Sequence, residues 1–364
     1  MYMCYSRDMS LQLLHTVCMY STTSSITIAY NAGALAGVCY AVQVLSGILM
    51  AFTYVSAEEY AYLVLDYANR DGTYVWCIRT THSNTASVVF MAMYLHVLRA
   101  WLYEVSAVVA SLLYSIGVIV WLLMMGTAFL GYVLPWGLMS FWALTVITNL
   151  LTVIPLVGDD VLVHCWGGYY ISSNTLQRVL ALHYLLPFVV LVLVLGHLLV
   201  LHVQGSGTPS LVPGTHTDGE PFIMYYYKDL WVLGISVLMV ILIVLCYPDT
   251  LHHPDNYCYV DRYTTPQHIV PEWYFLPFYS MLRACSSKGI GVLILVASVL
   301  VYLLLLSVCT EIHTSAGIHA VVDGTAHVVI LVVLGMLGQC SPSYPYVECS
   351  GYLTTICLAV HVLF

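Results

Sequence analysis

The chain has 364 residues, 61% of them hydrophobic and only 7% charged, and a net charge of −9. A soluble domain carries about a quarter charged residues, so too few remain here to clothe a water-facing surface, and the composition specifies a polytopic membrane protein. The nine lysines and arginines form no basic run, which excludes nucleic-acid binding, and the twelve cysteines include no CxxC or CxxCH pair for a cluster or a covalent cofactor.

In chain order, the opening MYMCYSRDMSLQLLH lacks the Arg-rich, acid-poor character of a transit peptide, so the protein is expected to be inserted where it is made. Eight apolar runs, each about 20 residues and so long enough to span a bilayer, are predicted. They are A at 33–54, B at 85–103, C at 112–133, D at 179–202, E at 229–247, F at 290–309, G at 318–338 and H at 349–364. Spans A–D with their surface segments form one unit at 1–205, and 206–364 forms a second. The C–D connection, 134–178, contains FWALTVITNLLTVIP, which reads as an amphipathic helix lying on the membrane surface. The E–F connection, 248–289, holds TTPQHIVPEWYFLPFYSMLR, a long aromatic and proline-rich loop of the kind that carries function. Charge does not orient the chain: Arg79, Arg178, Arg262 and Arg283 fall on one side by alternation, Arg99 and Lys228 on the other.

The histidines carry a pattern. His82 and His96 in span B are fourteen residues apart, and so are His183 and His197 in span D. Fourteen helical residues rise about 21 Å and return to within about 40° of the starting face. One span separates B from D, so the two run parallel. His82 is then level with His183, and His96 with His197. Two facing imidazole pairs at two depths suit bis-histidine ligation of two planar metal macrocycles.

The glycines repeat the interval. Gly33 and Gly47 on span A, and Gly117 and Gly131 on span C, are each fourteen apart. A glycine inside a helix costs about 1 kcal/mol relative to alanine, which a flat ring pressed on bare backbone would offset. Spans A and C run opposite to B and D, so Gly47 and Gly131 fall level with His82, and Gly33 and Gly117 level with His96. Arg79 and Arg99 lie one turn outside the two histidines of span B, where guanidinium groups pair with anionic substituents at the membrane edge. A lone intramembrane histidine is more often a packing residue, and glycine pairs often serve close packing. Four equal intervals favour two metal macrocycles, with a histidine-lined transporter or channel as the alternative. His252, His253, His313, His319, His327 and His361 have no matched partner and receive no role.

These features resemble cytochrome b of the cytochrome bc1 complex, respiratory complex III. The resemblance covers residues 30–290 and rests on both histidine pairs, GYVLPWG at 131–137, WALTVITNLL at 142–151, LHVQGSGTP at 201–209, HPDNY at 253–257 and PEWYFLPFY at 271–279. Spans F–H resemble the family only in hydropathy and position. The photosynthetic relative, cytochrome b6, is split after four spans and has one more residue between its span-D histidines, so the bc1 branch is favoured.

The resemblance implies an all-α polytopic membrane protein with eight transmembrane helices and an N-terminal four-helix bundle holding two b haems. It implies a quinol–cytochrome c reductase subunit of a mitochondrial inner membrane, a bacterial plasma membrane being less favoured. His82 and His183 would hold the low-potential haem iron, and His96 and His197 the high-potential one, with Gly33, Gly47, Gly117, Gly131, Arg79 and Arg99 around the haems. At the outer face Glu272 would accept a quinol proton, in a pocket walled by Tyr132, Phe129, Ala143, Pro271 and Tyr279. At the inner face His202 and Asp229 would supply protons to ubiquinone, with Ser206 and Lys228 as hydrogen-bonding neighbours. Partners would be the Rieske iron–sulfur protein, for which His268 lies near the docking surface, cytochrome c1, other complex III subunits and a second copy in a homodimer. A di-haem anchor of another dehydrogenase would share the histidine pairs but not PEWY. Two departures stand out. Alanine occupies position 143, where the family has glycine, and Tyr30 replaces a tryptophan before the first-span Asn-x-Gly.

Overall fold

A computed structural model describes residues 21–22, 26–102, 107–204, 220–308 and 317–363. Twelve α-helices occur among them. They are α1 (Ala32–Ala51), α2 (Ala61–Asp71), α3 (Val75–Leu102), α4 (Ala107–Val133), α5 (Leu138–Asn149), α6 (Gly158–Trp166), α7 (Ser173–Gln204), α8 (Ile223–Cys246), α9 (Leu276–Arg283), α10 (Lys288–Val308), α11 (Gly317–Gln339) and α12 (Tyr346–Leu363). One two-residue antiparallel pair joins Ser21–Thr22 to Glu220–Pro221.

Each of the eight apolar runs lies on one long helix: α1, α3, α4, α7, α8, α10, α11 and α12. Among the described residues, four stretches are by themselves long and apolar enough to cross a membrane: Ile28–Ala51, Leu112–Val133, Ser173–Val203 and Ile223–Cys246. The fold therefore defines a multi-pass helical membrane protein.

Helix α3 begins at Val75, ten residues before the apolar run of span B. The extra turns are polar, RTTHSNT, and hydropathy passes over them. The amide N–H groups of Asn84 are met inside the bundle, while its Oδ1 and the hydroxyl of Thr85 are buried without a partner. Asn84, fully buried, donates to the carbonyls of Thr80 at 3.0 Å and Pro248 at 2.9 Å. Helix α7 runs through Pro187. A proline has no N–H, so the carbonyl of His183 one turn earlier loses its helical donor. The hydroxyl of Tyr40 on α1 donates to the carbonyl of Pro187 itself.

The C–D connection folds into α5 and α6, with a short 3-10 helix at Leu150–Val153 between them. Met139–Phe141, Ala143 and Leu144 of α5 are buried, and Phe141 and Leu144 share a core cluster with Trp136, so this face of α5 packs on the bundle. Helix α2, absent from the hydropathy reading, carries an Asp66–Arg70 ion pair at 3.0 Å one turn apart.

In the N-terminal half α1 packs on α3, α4 on α7, and α3 also meets α8. Their centre is filled by Cys39, Tyr40, Val89, Phe90, Met124, Val190 and Tyr274. In the C-terminal half α9 sits among α10, α11 and α12 around Trp121, Phe278, Met281, Tyr302, Leu334 and Cys357. Trp121 belongs to α4, so the two halves share one core.

Candidate functional site

The four histidines meet in two pairs, at the levels that the fourteen-residue intervals set. The ring centres of His82 and His183 are 6.3 Å apart with planes 82° apart. Those of His96 and His197 are also 6.3 Å apart, with planes at 69°. Two imidazoles ligating one metal through bonds of about 2.0 Å stand with ring centres about 6.2 Å apart. Stacked rings would leave no room for an ion between them, and neither pair is stacked. These residues fit bis-imidazole ligation of two metal macrocycles.

Each glycine of the fourteen-residue series faces one of these histidines. A Cβ at Gly131 would lie 2.6 Å from Cε1 of His183, and one at Gly47 would lie 3.1 Å from Cε1 of His82. At Gly33 it would lie 3.0 Å from Cε1 of His96, and at Gly117 3.3 Å from Cε1 of His197. The missing side chains thus clear the imidazoles themselves, and not only a flat ring between them.

The pair of His82 and His183 is further fixed by hydrogen bonds that no motif foretold. Nδ1 of His82 lies 2.9 Å from Oγ of Ser46, and Nδ1 of His183 lies 2.8 Å from the carbonyl of Thr127. The hydroxyl of Ser46 already donates to the carbonyl of Val42 at 2.6 Å, so Nδ1 of His82 is the donor in its bond. Fixing Nδ1 as donor leaves Nε2 as the free ligand atom. Ser46 could have been found as the hydroxyl beside Gly47, but a backbone carbonyl leaves no trace in sequence. Nδ1 of His96 is buried without a hydrogen-bond partner.

The two arginines lie at the two ends of the stack. The guanidinium of Arg79 sits 5.2 Å from the ring centre of Tyr257. That of Arg99 sits 4.2 Å from the ring centre of Tyr30, and its Nε is buried without a partner. The tyrosine at position 30 therefore still offers Arg99 an aromatic face.

The E–F loop is stitched onto α5. Oδ1 of Asn256 accepts from the backbone N–H and the hydroxyl of Ser140, both at 2.9 Å, and Ser140 is fully buried. Leu138 donates to the carbonyl of Cys258 at 3.0 Å, and Nε1 of Trp142 donates to that of Asp261 at 3.0 Å. Arg262 pairs with Glu58 at 2.5 Å. His252, in the same loop, is held down to about 4 by burial and then by the charge of Arg79, against a smaller opposite pull from Asp249.

Within that loop Glu272 is largely buried, and Oε1 has no hydrogen-bond partner. Burial pushes its carboxyl up to about 7. The phenol of Tyr274 is raised well above its ordinary value, by burial first and then by the Glu272 charge. Tyr132, whose hydroxyl is also buried and unpartnered, interacts electrostatically with Glu272 as well. Tyr279 donates to the carbonyl of Ile269 at 2.9 Å and lies under the guanidinium of Arg283 at 4.6 Å. Arg283 in turn donates to the carbonyls of Leu337 and Cys340 at the end of α11. Ala143 is buried on α5, Phe129 packs against the core that contains Trp136, and Pro271 is half-buried.

At the other face the parts are anchored separately. Asp229 accepts from Nδ2 of Asn31, a buried residue that the sequence reading left without a role. Nδ1 of His202 bonds to the carbonyl of Leu198, one turn back on its own helix, at 2.7 Å. Lys228 lies 4.4 Å from the ring centre of Tyr225. Ser206 lies outside the described residues.

Paired histidines inside a multi-pass helical bundle, with glycines bared against them, define a membrane protein of the macrocycle-binding class. Comparison with known proteins supplies the family. Residues 17–205 match the family described as Cytochrome b/b6/petB, and residues 259–358 match Cytochrome b(C-terminal)/b6/petD. The chain belongs to the cytochrome b family. It is 41% identical over 333 residues to cytochrome b of Phytophthora megasperma, covering 90% of this chain and 86% of that one. It is 39% identical over 338 residues to cytochrome b of Rickettsia prowazekii (strain Madrid E), covering 92% and 85%. With cytochrome b of Mycosarcoma maydis the identity is 46% over 281 residues, covering 77% and 71%. The fold matches a chain of a solved structure titled "Hyperthermophilic respiratory Complex III", with a TM-score of 0.89 at 23% identity over 98% of this chain and 95% of that one. Membership of the family implies binding of haem b and contact with quinone.

Proposed function

We propose that this chain is the haem- and quinone-binding subunit of a ubiquinol–cytochrome c oxidoreductase, with eight transmembrane helices, an N-terminal haem unit at 1–205 and a C-terminal unit at 206–364. The observation that carries the reading is the pair of histidine rungs, each with ring centres 6.3 Å apart. In this reading His82 and His183 hold one b haem near the outer face, and His96 and His197 hold the other near the inner face. Two haems in these places would carry electrons one at a time between the faces.

The protein's own part is positioning and proton handling. Glu272 lies in the loop between α8 and α9, at the end of the bundle where α3 begins, and this is the outer face in the reading. A carboxyl held near 7 in an aromatic pocket suits uptake of a quinol proton at neutral pH. Phe129, Tyr132, Ala143, Pro271 and Tyr279 shape the space around it. At the opposite end His202 and Asp229 supply protons to a quinone, with Lys228 and Ser206 nearby. Protons released at one face and taken up at the other make the cycle move charge. Arg79 and Arg99, on aromatic faces at the two ends of α3, are placed for anionic haem substituents. The partners are a Rieske iron–sulfur protein, cytochrome c1, the other complex III subunits and a second copy of the complex. The setting is a mitochondrial inner membrane.

The test is a redox titration of the purified complex in the visible region. Two b-type components are expected, one missing in His82→Ala and the other in His96→Ala. A single component, or one untouched by both variants, would end the reading.

A further inference from the structure

Buried on the far side of the shared core is a polar group that the quinone and haem chemistry does not use. The hydroxyl of Tyr302 on α10 lies 3.0 Å from Nε2 of His327 on α11. Sγ of Cys357 on α12 lies 3.9 Å from Nδ1 of the same histidine. All three residues are buried, at 4%, 5% and 2% exposure. Polar links between membrane helices often serve only to hold them together. Here the group also stands at the end of a line of oxidisable rings. The ring centre of Tyr302 is 5.5 Å from that of Trp121 on α4. Trp121 is 6.4 Å from Tyr94 on α3, and Tyr94 is 6.0 Å from Trp273 of the PEWY segment. The hydroxyl of Tyr94 donates to the carbonyl of Tyr274 at 2.6 Å, which ties the line to the residues beside Glu272.

We propose that Tyr302 and His327 form a one-electron sink for the outer quinol pocket, reached through Trp273, Tyr94 and Trp121. The proposal rests on the outer-site reading above. Its chemistry follows from where a phenol can lose an electron. A tyrosine in a low-dielectric core cannot leave a bare cation behind, so oxidation requires a base already in contact with the hydroxyl. Nε2 of His327 accepts that hydrogen bond, and Nδ1–H then points its proton at the polarisable sulfur of Cys357. The oxidant is an oxygen radical of the hydroperoxyl class, formed when quinol is oxidised in air. Hydroperoxyl gains one electron along the line and one proton from the solvent side, and becomes hydrogen peroxide. Tyr302 loses that electron, and its hydroxyl proton passes to His327, so the O–H bond breaks and a neutral phenoxyl remains. An electron returning from quinol along the same rings, with the proton handed back by His327, restores the pair. Tyr94 keeps its proton, because its hydroxyl stays bonded to the Tyr274 carbonyl, so its ring bridges Trp273 and Trp121 for electron tunnelling without itself being oxidised. The sink protects Glu272 and its neighbours from oxidation in place.

The test uses the intact complex in its membrane, fed ubiquinol in air with the inner site blocked, and freeze-quenched for electron paramagnetic resonance. Ring-deuterated tyrosine identifies a tyrosyl signal by its narrowing. The wild type is expected to give that signal, and Tyr302→Phe and Trp121→Phe to lose it. His327→Gln, which keeps a hydrogen-bonding side chain but is no base, is expected to lose it too. Haem absorbance, recorded on the same samples, separates the two ideas. Normal haem reduction with no tyrosyl signal in the wild type, or with a signal that survives Tyr302→Phe, overturns the sink alone. No haem reduction by quinol overturns the outer-site reading and the sink with it. A purely structural role would lower haem content in the variants without removing the signal per haem, and that result also overturns the proposal.

Discussion

Nδ1 of His82 gives its proton to Ser46 across 2.9 Å, while Nδ1 of His96, fourteen residues along the same helix, has no partner. His183, opposite His82, has the carbonyl of Thr127 as its acceptor. An imidazole that donates from Nδ1 is a stronger ligand through Nε2, and stronger donation favours the oxidised metal. The two rungs are alike in spacing, but in the rung of His82 both Nδ1 atoms have an acceptor, and in the rung of His96 that of His96 has none. In the proposed reading, where the rung of His82 is the outer one, it is thereby biased towards the lower potential, the direction that electron flow from outside to inside would require.

Removing one acceptor reads this bias directly. Ser46→Ala is expected to raise the midpoint of the outer b component and leave the inner one in place. A neutral hydrogen bond contributes about 0.5–1.5 kcal/mol, which for one electron corresponds to a shift on the order of 20–60 mV. Potentiometric titration of both components decides the matter. A shift confined to the inner component would contradict the assignment of Ser46 to the outer rung.

The glycines should differ in what they tolerate. A methyl at position 131 would meet His183 at 2.6 Å, which forces the imidazole or α4 to move. At position 117 the distance to His197 is 3.3 Å, within reach of a small adjustment. Overpacking of the first kind costs about 1–3 kcal/mol at the site. Gly131→Ala should lose the outer b component while Gly117→Ala keeps the inner one, as the ratio of haem to protein and the shape of the reduced spectrum will tell. Equal effects would show that backbone clearance is not what the two positions provide.

What could be read in advance follows the same line between periodicity and tertiary chemistry. The intervals from His82 to His96 and from His183 to His197 are backbone properties, so their pairing and levels were legible. The glycine levels were legible for the same reason. The start of α3 at Val75 was not, because the amide of Asn84 finds its acceptor in the carbonyl of Pro248, far away in sequence. That α5 is a helix was legible, but its own sequence cannot tell that Phe141 and Leu144 pack with Trp136. Thr127 acts through its carbonyl, which every residue has. Glu272 was legible only through its motif, and its unpartnered burial belongs to the fold.

That burial sets a pH dependence. The carboxyl of Glu272 is raised to about 7, above the ordinary carboxylate range, so the base form appears only as pH rises through that value. If Glu272 takes the quinol proton, turnover at saturating quinol climbs with its ionised fraction, up to about tenfold from about pH 6 to about pH 8. Glu272→Gln should lower turnover and flatten this rise, while the b spectrum stays unchanged. A rise that persists in the variant would assign the titration to another group.

Ala143 offers a test of pocket shape. It is buried on α5, where the resemblance leads one to expect glycine, and in the reading advanced above its methyl narrows the outer pocket. Ala143→Gly should increase sensitivity to bulky methoxyacrylate-type inhibitors and leave quinol turnover nearly as it was. Equal potency in the two proteins would remove position 143 from the pocket wall.

The last expectation concerns the loop rather than the pocket. Oδ1 of Asn256 is the shared acceptor for the N–H and the hydroxyl of Ser140, at a place sealed from solvent. Replacing Asn256 with alanine leaves the buried N–H of Ser140 unmet, at about 1–3 kcal/mol, while the hydroxyl keeps the carbonyl of Tyr132 at 2.7 Å. The loop that carries Glu272 would then loosen from α5, while the histidine rungs, held by α3 and α7, would not. Asn256→Ala is therefore expected to raise KM for quinol and speed proteolysis of the 248–275 loop, with both b components retained at their potentials. Loss of a b component in this variant would mean that the loop and the rungs form one cooperative unit, and that the outer site cannot be loosened without the haem beside it.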